Sequence, residues 1–362
     1  SGGIHYIMAE NTIENGELYP NNDNTSIKSG NISQHNKKHI HTESSLKLLQ
    51  ALPLDLKIAK TQNRIREWYN YYGGEVYVSF SGGKDSTVLL DIVRGLYPDI
   101  DAVYVDTGLE YPELRDFVKT IDNVTWLKPK KNFKSVIQEY GYPIVSKEVA
   151  NKVHGAKPGN TRWQQLHGTY IDNNTGKLST HYNYKKWEYL LDADFKISDQ
   201  CCAVMKKRPS LQYEKQTGKK PILGLMAAES QKRKTDYMKT GCNAFEKERP
   251  QSQPMGFWTE QDVLQYLYEK KIPYASVYGD IVLEDGKYRT TGCNRTGCIF
   301  CGFGCHLEKE PNRFQMLKQT HPKLWEYCMK QIESGGLGMR KVMEYILSLI
   351  HISEPTRPRL IS

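Results

Sequence analysis

No run of apolar residues in this 362-residue chain approaches the roughly 18 needed to cross a bilayer. The opening SGGIHYIMAENT has no basic start leading into an apolar core, so it does not read as a secretory signal. These absences point to a cytoplasmic protein with no membrane partner. No internal repeat is found. The net charge of +9, from 50 Lys+Arg against 41 Asp+Glu, is spread along the chain. It suits a polyanionic partner such as a nucleotide, tRNA or DNA, and suits a merely solvated surface equally well.

What is present is organised. Residues 1–43 are rich in Asn, Ser, Gly, His and Lys and poor in large apolar side chains. They read as a disordered leader, because they cannot bury enough surface to offset ordering entropy. After Pro53, the spacing of Leu54, Ile58, Ile65 and Trp68 predicts a helix that Gly73-Gly74 ends. Val76–Phe80, Ala102–Asp106 and Val124–Leu127 read as strands, alternating with helices over Asp85–Arg94, from Pro112, and over Phe133–Tyr140. A further strand is expected at Pro221–Leu225, and a helix after Thr259, with Thr259 as N-cap and Asp262 three residues on. This alternation implies an α/β fold built on a doubly wound parallel sheet. Residues 150–200 read as an insertion whose polar, aromatic, turn-rich stretch from His154 to Tyr184 is a surface excursion over the active site. Its aromatics, Trp187 among them, are candidates for stacking on bases, with packing the commoner role. After Ile346 the sequence SLIHISEPTRPRLIS shows no pattern that continues a helix. Residues 347–362 are expected to be a non-native tail replacing a natural C-terminus.

Ser81-Gly82-Gly83-Lys84-Asp85-Ser86 lies between a buried strand and a helix. Glycines let the backbone approach an anion, the helix N-terminus offers N–H groups and a positive dipole end, and two hydroxyls and one ammonium complete the donors. The spacing is not that of the P-loop G-x-x-x-x-G-K-[ST]. The hexapeptide instead matches the PP-loop signature of enzymes that bind adenine nucleotides, many of which cleave ATP to AMP and pyrophosphate. It implies a fold of the adenine nucleotide alpha hydrolase-like type over residues 44–290.

Eight cysteines are clustered, four of them between Cys293 and Cys305 and two adjacent at Cys201 and Cys202. With no secretion signal, that clustering reads as ligation rather than a disulfide framework. Cys298-x-x-Cys301 is a local chelate within a cysteine-rich C-terminal segment, 291–346. Cys293, Cys298, Cys301 and Cys305 could by themselves hold an iron–sulfur cluster or a structural zinc. The cluster is preferred over zinc, and zinc over unmetallated thiols. Cys242 and Cys328 read as free thiols, and His306 as a local hydrogen-bonding residue.

Further segments narrow the resemblance. Asp106-Thr107-Gly108-Leu109-Glu110-Tyr111-Pro112-Glu113 resembles the D-T-G-x-x-[FY]-P-E run of phosphoadenylyl-sulfate and adenylyl-sulfate reductases. Cys201-Cys202-Ala203-Val204-Met205-Lys206 resembles the C-C-x-x-x-K segment of the cluster-bearing members. Gly224 to Ser230, with Arg233 following, sits where that family has G-x-R-x-x-[QE]-S. Pro254 to Thr259, Ile272-Pro273-Tyr274 and Thr296 to Cys301 complete the order. The resemblance covers roughly residues 53–315. It implies a nucleotide site of Ser81, Gly82, Gly83, Lys84, Asp85, Ser86, Asp106, Thr107, Gly108, Glu229, Ser230 and Arg233. It also implies a four-iron–four-sulfur cluster on Cys201, Cys202, Cys298 and Cys301. Lys84 and Lys206 are then the expected catalytic side chains. ATP, adenylyl sulfate or phosphoadenylyl sulfate is the expected nucleotide, with Mg²⁺ as a companion ion and a redox protein as electron donor.

Two departures stand out. Met226 replaces the arginine of G-x-R, and the E-C-G-x-H segment that carries the reductases' attacking cysteine does not occur. The leading expectation is sulfur reduction or transfer on an adenine nucleotide. The alternatives are ATP-dependent, AMP-forming sulfur insertion into DNA or tRNA, and a zinc-stabilised nucleic-acid-binding protein.

Overall fold

β1 (Val76–Ser79) shows why this sheet is covered on both faces. Val76 and Val78 enter the main core, while Tyr77 turns to the other face and packs with Val103 and Tyr213. The structure, a computed structural model, describes residues 41–353 and the side chains of 41–346. β1, β2 (Ala102–Val105), β3 (Val124–Leu127), β5 (Lys220–Leu223), β6 (Asn243–Ala244) and β7 (Gln251–Ser252) form one sheet in the order β3-β2-β1-β5-β7-β6. All neighbours are parallel except β6 against β7. The chain lays β2 and β3 on one side of β1 and then crosses to set β5 on the other. That is the doubly wound arrangement, with its switch point between β1 and β5.

The expected helices form. They are α2 (Leu54–Tyr71), α3 (Lys84–Arg94), α4 (Pro112–Lys119), α5 (Phe133–Tyr140) and α11 (Glu260–Lys270). Thr259 and Asp262 make the reciprocal N-terminal cap on α11. Asp262 also accepts two bonds from the Lys57 ammonium (2.8 and 2.7 Å), a buried pair that pins α11 to α2.

Three regions depart from the reading of the sequence. At the leader's end, Thr42 caps α1 (Glu43–Gln50), and residues 1–40 lie outside the described residues. The insertion is more ordered than a polar excursion. β4 (Ile144–Val145) leads into α6 (Lys147–Gly155) and α7 (Thr161–His167), which pack with a 3₁₀ turn (Lys185–Asp192) over buried Leu166, Trp187 and Leu190. Trp187 is therefore core and not a base-stacking platform. At the other end, α14 (Met339–Ser353) runs past Ile346, because no Gly or Pro interrupts the chain before Pro355. Residues 354–362 lie outside the described residues.

Between these regions α8 (Gln200–Cys202) passes through a π-turn (Ala203–Lys207) into α9 (Arg208–Thr217). The chain continues through α10 (Gln231–Thr240), the hairpin β8 (Ile281–Glu284) and β9 (Lys287–Thr290), β10 (Gly302–Phe303), α12 (Arg313–Thr320) and α13 (Pro322–Met329). β10 pairs with β4, which fastens the cysteine-rich segment beside α6. One core cluster includes Trp68, Val78, Phe257, Phe300, Leu337 and Val342, so residues 291–346 share the core of the sheet. Among the described residues no helix is long and apolar enough to cross a membrane.

Candidate functional site

The turn after β1 sits at the switch point, where diverging strand ends leave a crevice. Gly82 has φ +74°, and a Cβ there would stand 2.8 Å from Val118 Cγ2 and 3.3 Å from the Leu114 carbonyl. Only glycine lets the turn lie on α4 in that conformation. Ser86 Oγ accepts from Ser81 N–H (3.2 Å) and donates to the Gly83 carbonyl (2.9 Å), closing the loop on itself. From β5, Gly224 comes so close that a Cβ would meet the Asp85 carbonyl at 3.1 Å.

The resulting cavity of about 260 Å³ is walled by Ser81, Gly83, Lys84, Asp85 and Ser86 of the turn, and by Glu229 and Arg233. Tyr278, Arg295 and Thr296 close it from the C-terminal half. Of the residues expected at a nucleotide, the structure does not bring Asp106, Thr107, Gly108 or Ser230 into this wall. Asp106 is buried against Arg115 (2.8 Å), and Ser230 caps α10. Gly82 backs onto α4.

The charges of the cavity are already engaged. Lys84 is 4% exposed, and its ammonium donates to Glu260 (2.7 Å) and to the Asn294 carbonyl. Arg233 and Arg295 both pair with Glu229, whose other contact is the Met226 N–H (3.0 Å). One carboxylate oxygen of Asp85 is buried without a hydrogen-bond partner. Burial pushes the Asp85 carboxyl above its ordinary range, against the pull of Lys84 and Arg295. Glu260, Asn294, Tyr278 and Arg295 were not singled out from the sequence. Arg295 and Asn294 sit between Cys293 and Cys298, where the cysteines alone drew attention.

The thiols gather beside the end of β2. Cys201 and Cys202 stand 4.0 Å apart, sulfur to sulfur. Cys298 and Cys301 lie within electrostatic reach of both. A hydrogen bond from Cys201, with Lys147 and Lys206 adding to it, holds the Cys202 thiol below the usual range despite its burial. Burial raises Cys298, and raises Cys301 to about 11. Lys206 lies 3.4 Å from Glu110, which also accepts from Thr107. Burial opposes the Lys206 charge, yet Cys298 and Glu110 hold its ammonium above the ordinary range. The π-turn sets this lysine, and such turns recur at functional sites. Cys305, pushed up to about 12 by burial, has only Cys301 among the thiols as an electrostatic neighbour. Cys293 has Tyr111 and Glu113 as neighbours instead. Among the described residues no group of three or more His, Cys, Asp or Glu side chains is arranged to hold a single metal ion.

Of the remaining candidates, Cys242 and Cys328 are buried free thiols. His306 packs edge-on against Trp187 (5.5 Å), and its buried Nδ1 has no hydrogen-bond partner, so the expected hydrogen-bonding role is not found at that nitrogen.

A family model described as the phosphoadenosine phosphosulfate reductase domain matches residues 75–301. Two uncharacterized proteins of Methanocaldococcus jannaschii are 25% and 23% identical over 264 and 285 residues, or 72% and 76% of this chain. The chain spans 42% and 53% of their lengths, about half. The adenosine 5'-phosphosulfate reductase of Oceanobacillus iheyensis is 25% identical over 236 residues, 64% of this chain and 75% of that protein. Among solved structures, the phosphoadenylyl-sulfate reductase of Candida auris in a phosphate complex aligns at 17% identity with a TM-score of 0.35. That alignment covers 68% of this chain and 92% of the other.

Proposed function

Because the chain belongs to the phosphoadenosine phosphosulfate reductase domain family, we propose that it is a sulfonucleotide reductase-type oxidoreductase. An adenine nucleotide places its phosphate or sulfate end in the 81–86 cradle. A four-iron–four-sulfur cluster is held beside it by Cys201, Cys202, Cys298 and Cys301. The observation that carries this reading is the segment Cys293–Cys301. It walls the cavity with Arg295 and Thr296 and, two residues later, supplies Cys298 to the thiol group.

The donor set fits such a cluster, since four thiols are soft ligands and lie in one another's field. When bound, the cluster would supply charge and redox capacity next to the anionic end of the ligand. The chain's own residues do the rest. Ser81 and Ser86 present hydroxyls, and the N-terminus of α3 presents its dipole. Arg233 and Arg295 exchange the shared Glu229 for the ligand's anionic groups. The orphaned oxygen of Asp85 accepts a ligand donor or a hydrated Mg²⁺. Lys206, between Glu110 and Cys298, keeps positive charge beside the thiols. Reducing the sulfate of a phosphosulfate anhydride to sulfite takes two electrons, which an external redox protein would deliver, and the adenine nucleotide leaves with its phosphate.

Anaerobically purified protein should contain about four irons and four sulfides per chain. Cys202→Ser and Cys298→Ser should each abolish the visible absorbance, whereas Cys293→Ser should keep it. One zinc and no iron would overturn the cluster and favour the zinc-stabilised nucleic-acid-binding reading.

A second reading shares the cradle and changes the reaction to AMP-forming, ATP-driven sulfur insertion into DNA or tRNA. Cys328 is 0% exposed, and burial pushes its thiol well above the usual range, so the first reading does not rest on it as the attacking thiol. Sulfite release from adenylyl or phosphoadenylyl sulfate supports the first reading. Pyrophosphate release from ATP supports the second.

A further inference from the structure

The charge that reads as dispersed along the sequence is concentrated in one place. Residues 147–186 carry seven Lys and Arg side chains, Lys147 the first and Lys186 the last, against Glu148 and Asp172. Seven less two is +5, more than half of the chain's +9. Among the described residues none of these seven cations forms a salt bridge with a carboxylate, although Lys147 also lies beside the Cys202 thiol. Elsewhere Lys57, Lys84, Arg115, Lys219, Arg249 and Arg313 each meet a carboxylate.

Aromatic rings are interleaved with these cations. Lys152 Nζ stands 5.9 Å from the Tyr182 ring and 5.6 Å from the Tyr184 ring, and Tyr182 is 37% exposed. Trp163 and His167 stack at 3.5 Å on α7. The platform is folded, because α6, α7 and the 3₁₀ turn share the buried Leu166, Trp187 and Leu190. It also borders the thiols. Asn151 donates to Asp199 (3.2 Å), two residues before Cys201, and Trp187 packs on His306, next to Cys305.

We propose that residues 147–186 form a binding surface for single-stranded nucleic acid, laid against the thiol group. Unpaired cations gain most from a polyanion, because each phosphate they neutralise releases a condensed counterion. Rings set among those cations offer stacking faces that any base can use. An acidic protein would satisfy the charges and leave the rings without a role, so the nucleic acid is the better match. The proposal stands on this surface and requires no choice between the two reactions above.

The test uses the full chain and a labelled oligothymidylate of about 20 nucleotides, read by fluorescence anisotropy. Affinity should fall about 100-fold between about 50 and 200 mM salt, as expected for about five neutralised phosphates on a single strand. The double variant Lys157→Glu/Lys185→Glu, at two exposed positions, should weaken binding at least about tenfold. Tyr182→Ala should weaken it about five- to tenfold at constant salt through lost stacking. Both variants should keep the wild-type melting temperature and adenine-nucleotide affinity, which separates failure here from failure of the cradle. Absence of binding at the lowest salt, or no effect of charge reversal, would overturn the proposal. So would loss on charge reversal with no effect of Tyr182→Ala, which would make this a general polyanion patch open to an acidic redox protein.

Discussion

The cradle and the 147–186 surface both offer positive charge to an anion, but they keep that charge in different states. In the cradle Lys84 is held by Glu260, and Arg233 and Arg295 share Glu229. On the surface no cation has a carboxylate partner among the described residues. Paired charges are positioned before a ligand arrives, and the ligand must displace a carboxylate to use them. Geometry is gained at some cost in affinity, and the attraction is short-ranged. Unpaired charges act over a Debye length and fade with salt. On the two proposals above, one chain would carry a selective site for a small anion and a permissive one for a long anion.

Substitutions can break that contrast. The largest effect is expected where pairing is deepest. Asp262→Ala would leave Lys57, 2% exposed, without its counter-charge and should lower unfolding free energy by about 3–5 kcal/mol in denaturant titrations. Lys157→Ala, on the unpaired side, should change it by less than about 0.5 kcal/mol. Comparable costs at the two positions would erase the distinction.

Gly82→Ala comes next. The residue sits at φ +74° against Val118, so a methyl group should destabilise the fold by about 1–3 kcal/mol and impair nucleotide binding. Wild-type behaviour would show that the turn is free to move off α4.

The charge competition itself is tested by two opposed variants in calorimetry. Lys84→Ala should weaken adenine-nucleotide binding by at least about 1.4 kcal/mol, tenfold. Glu260→Gln should tighten it by releasing the ammonium. Weakening in both would mean that Glu260 orients Lys84 for the ligand rather than competing with it.

The smallest effect concerns Asp85. Its folded-state carboxyl titrates above the unfolded value of 3.8, so the native state binds the proton more tightly. The stability this contributes is complete below pH 3.8 and is lost as pH rises through the folded value. Asp85→Asn escapes that loss. Its melting temperature relative to wild type should therefore climb between about pH 4 and neutrality. A difference independent of pH would mean that the carboxylate is not strained by burial.

Much of the fold is legible in the residues because the signals are local. Strand and helix periods, Pro112 at a helix start and the Thr259–Asp262 cap all act within a few positions, and the structure has each of them. The insertion was harder to read. Its helices are short, and Leu166, Trp187 and Leu190 declare an apolar face only when three separate segments meet. The C-terminal helix is hidden for a related reason, since a stretch that reads as patternless still propagates a helix when no Gly or Pro stops it.

At the site, the sequence by itself determined which groups are chemically able: the glycine turn with its hydroxyls, and the cysteines with thiols to offer a soft centre. It could not decide how they are grouped. Whether Cys298 joins Cys201 and Cys202 or Cys293 depends on β10 pairing with β4 and on Ile299 N–H bonding to the Leu109 carbonyl (2.8 Å). Whether Lys84 is free depends on Glu260, 176 residues away. Spacing along a chain describes only what neighbouring peptide units can reach. Side chains far apart in sequence share a field only after the core has packed, so tertiary structure alone decided which charges are spent within the protein and which remain for a partner.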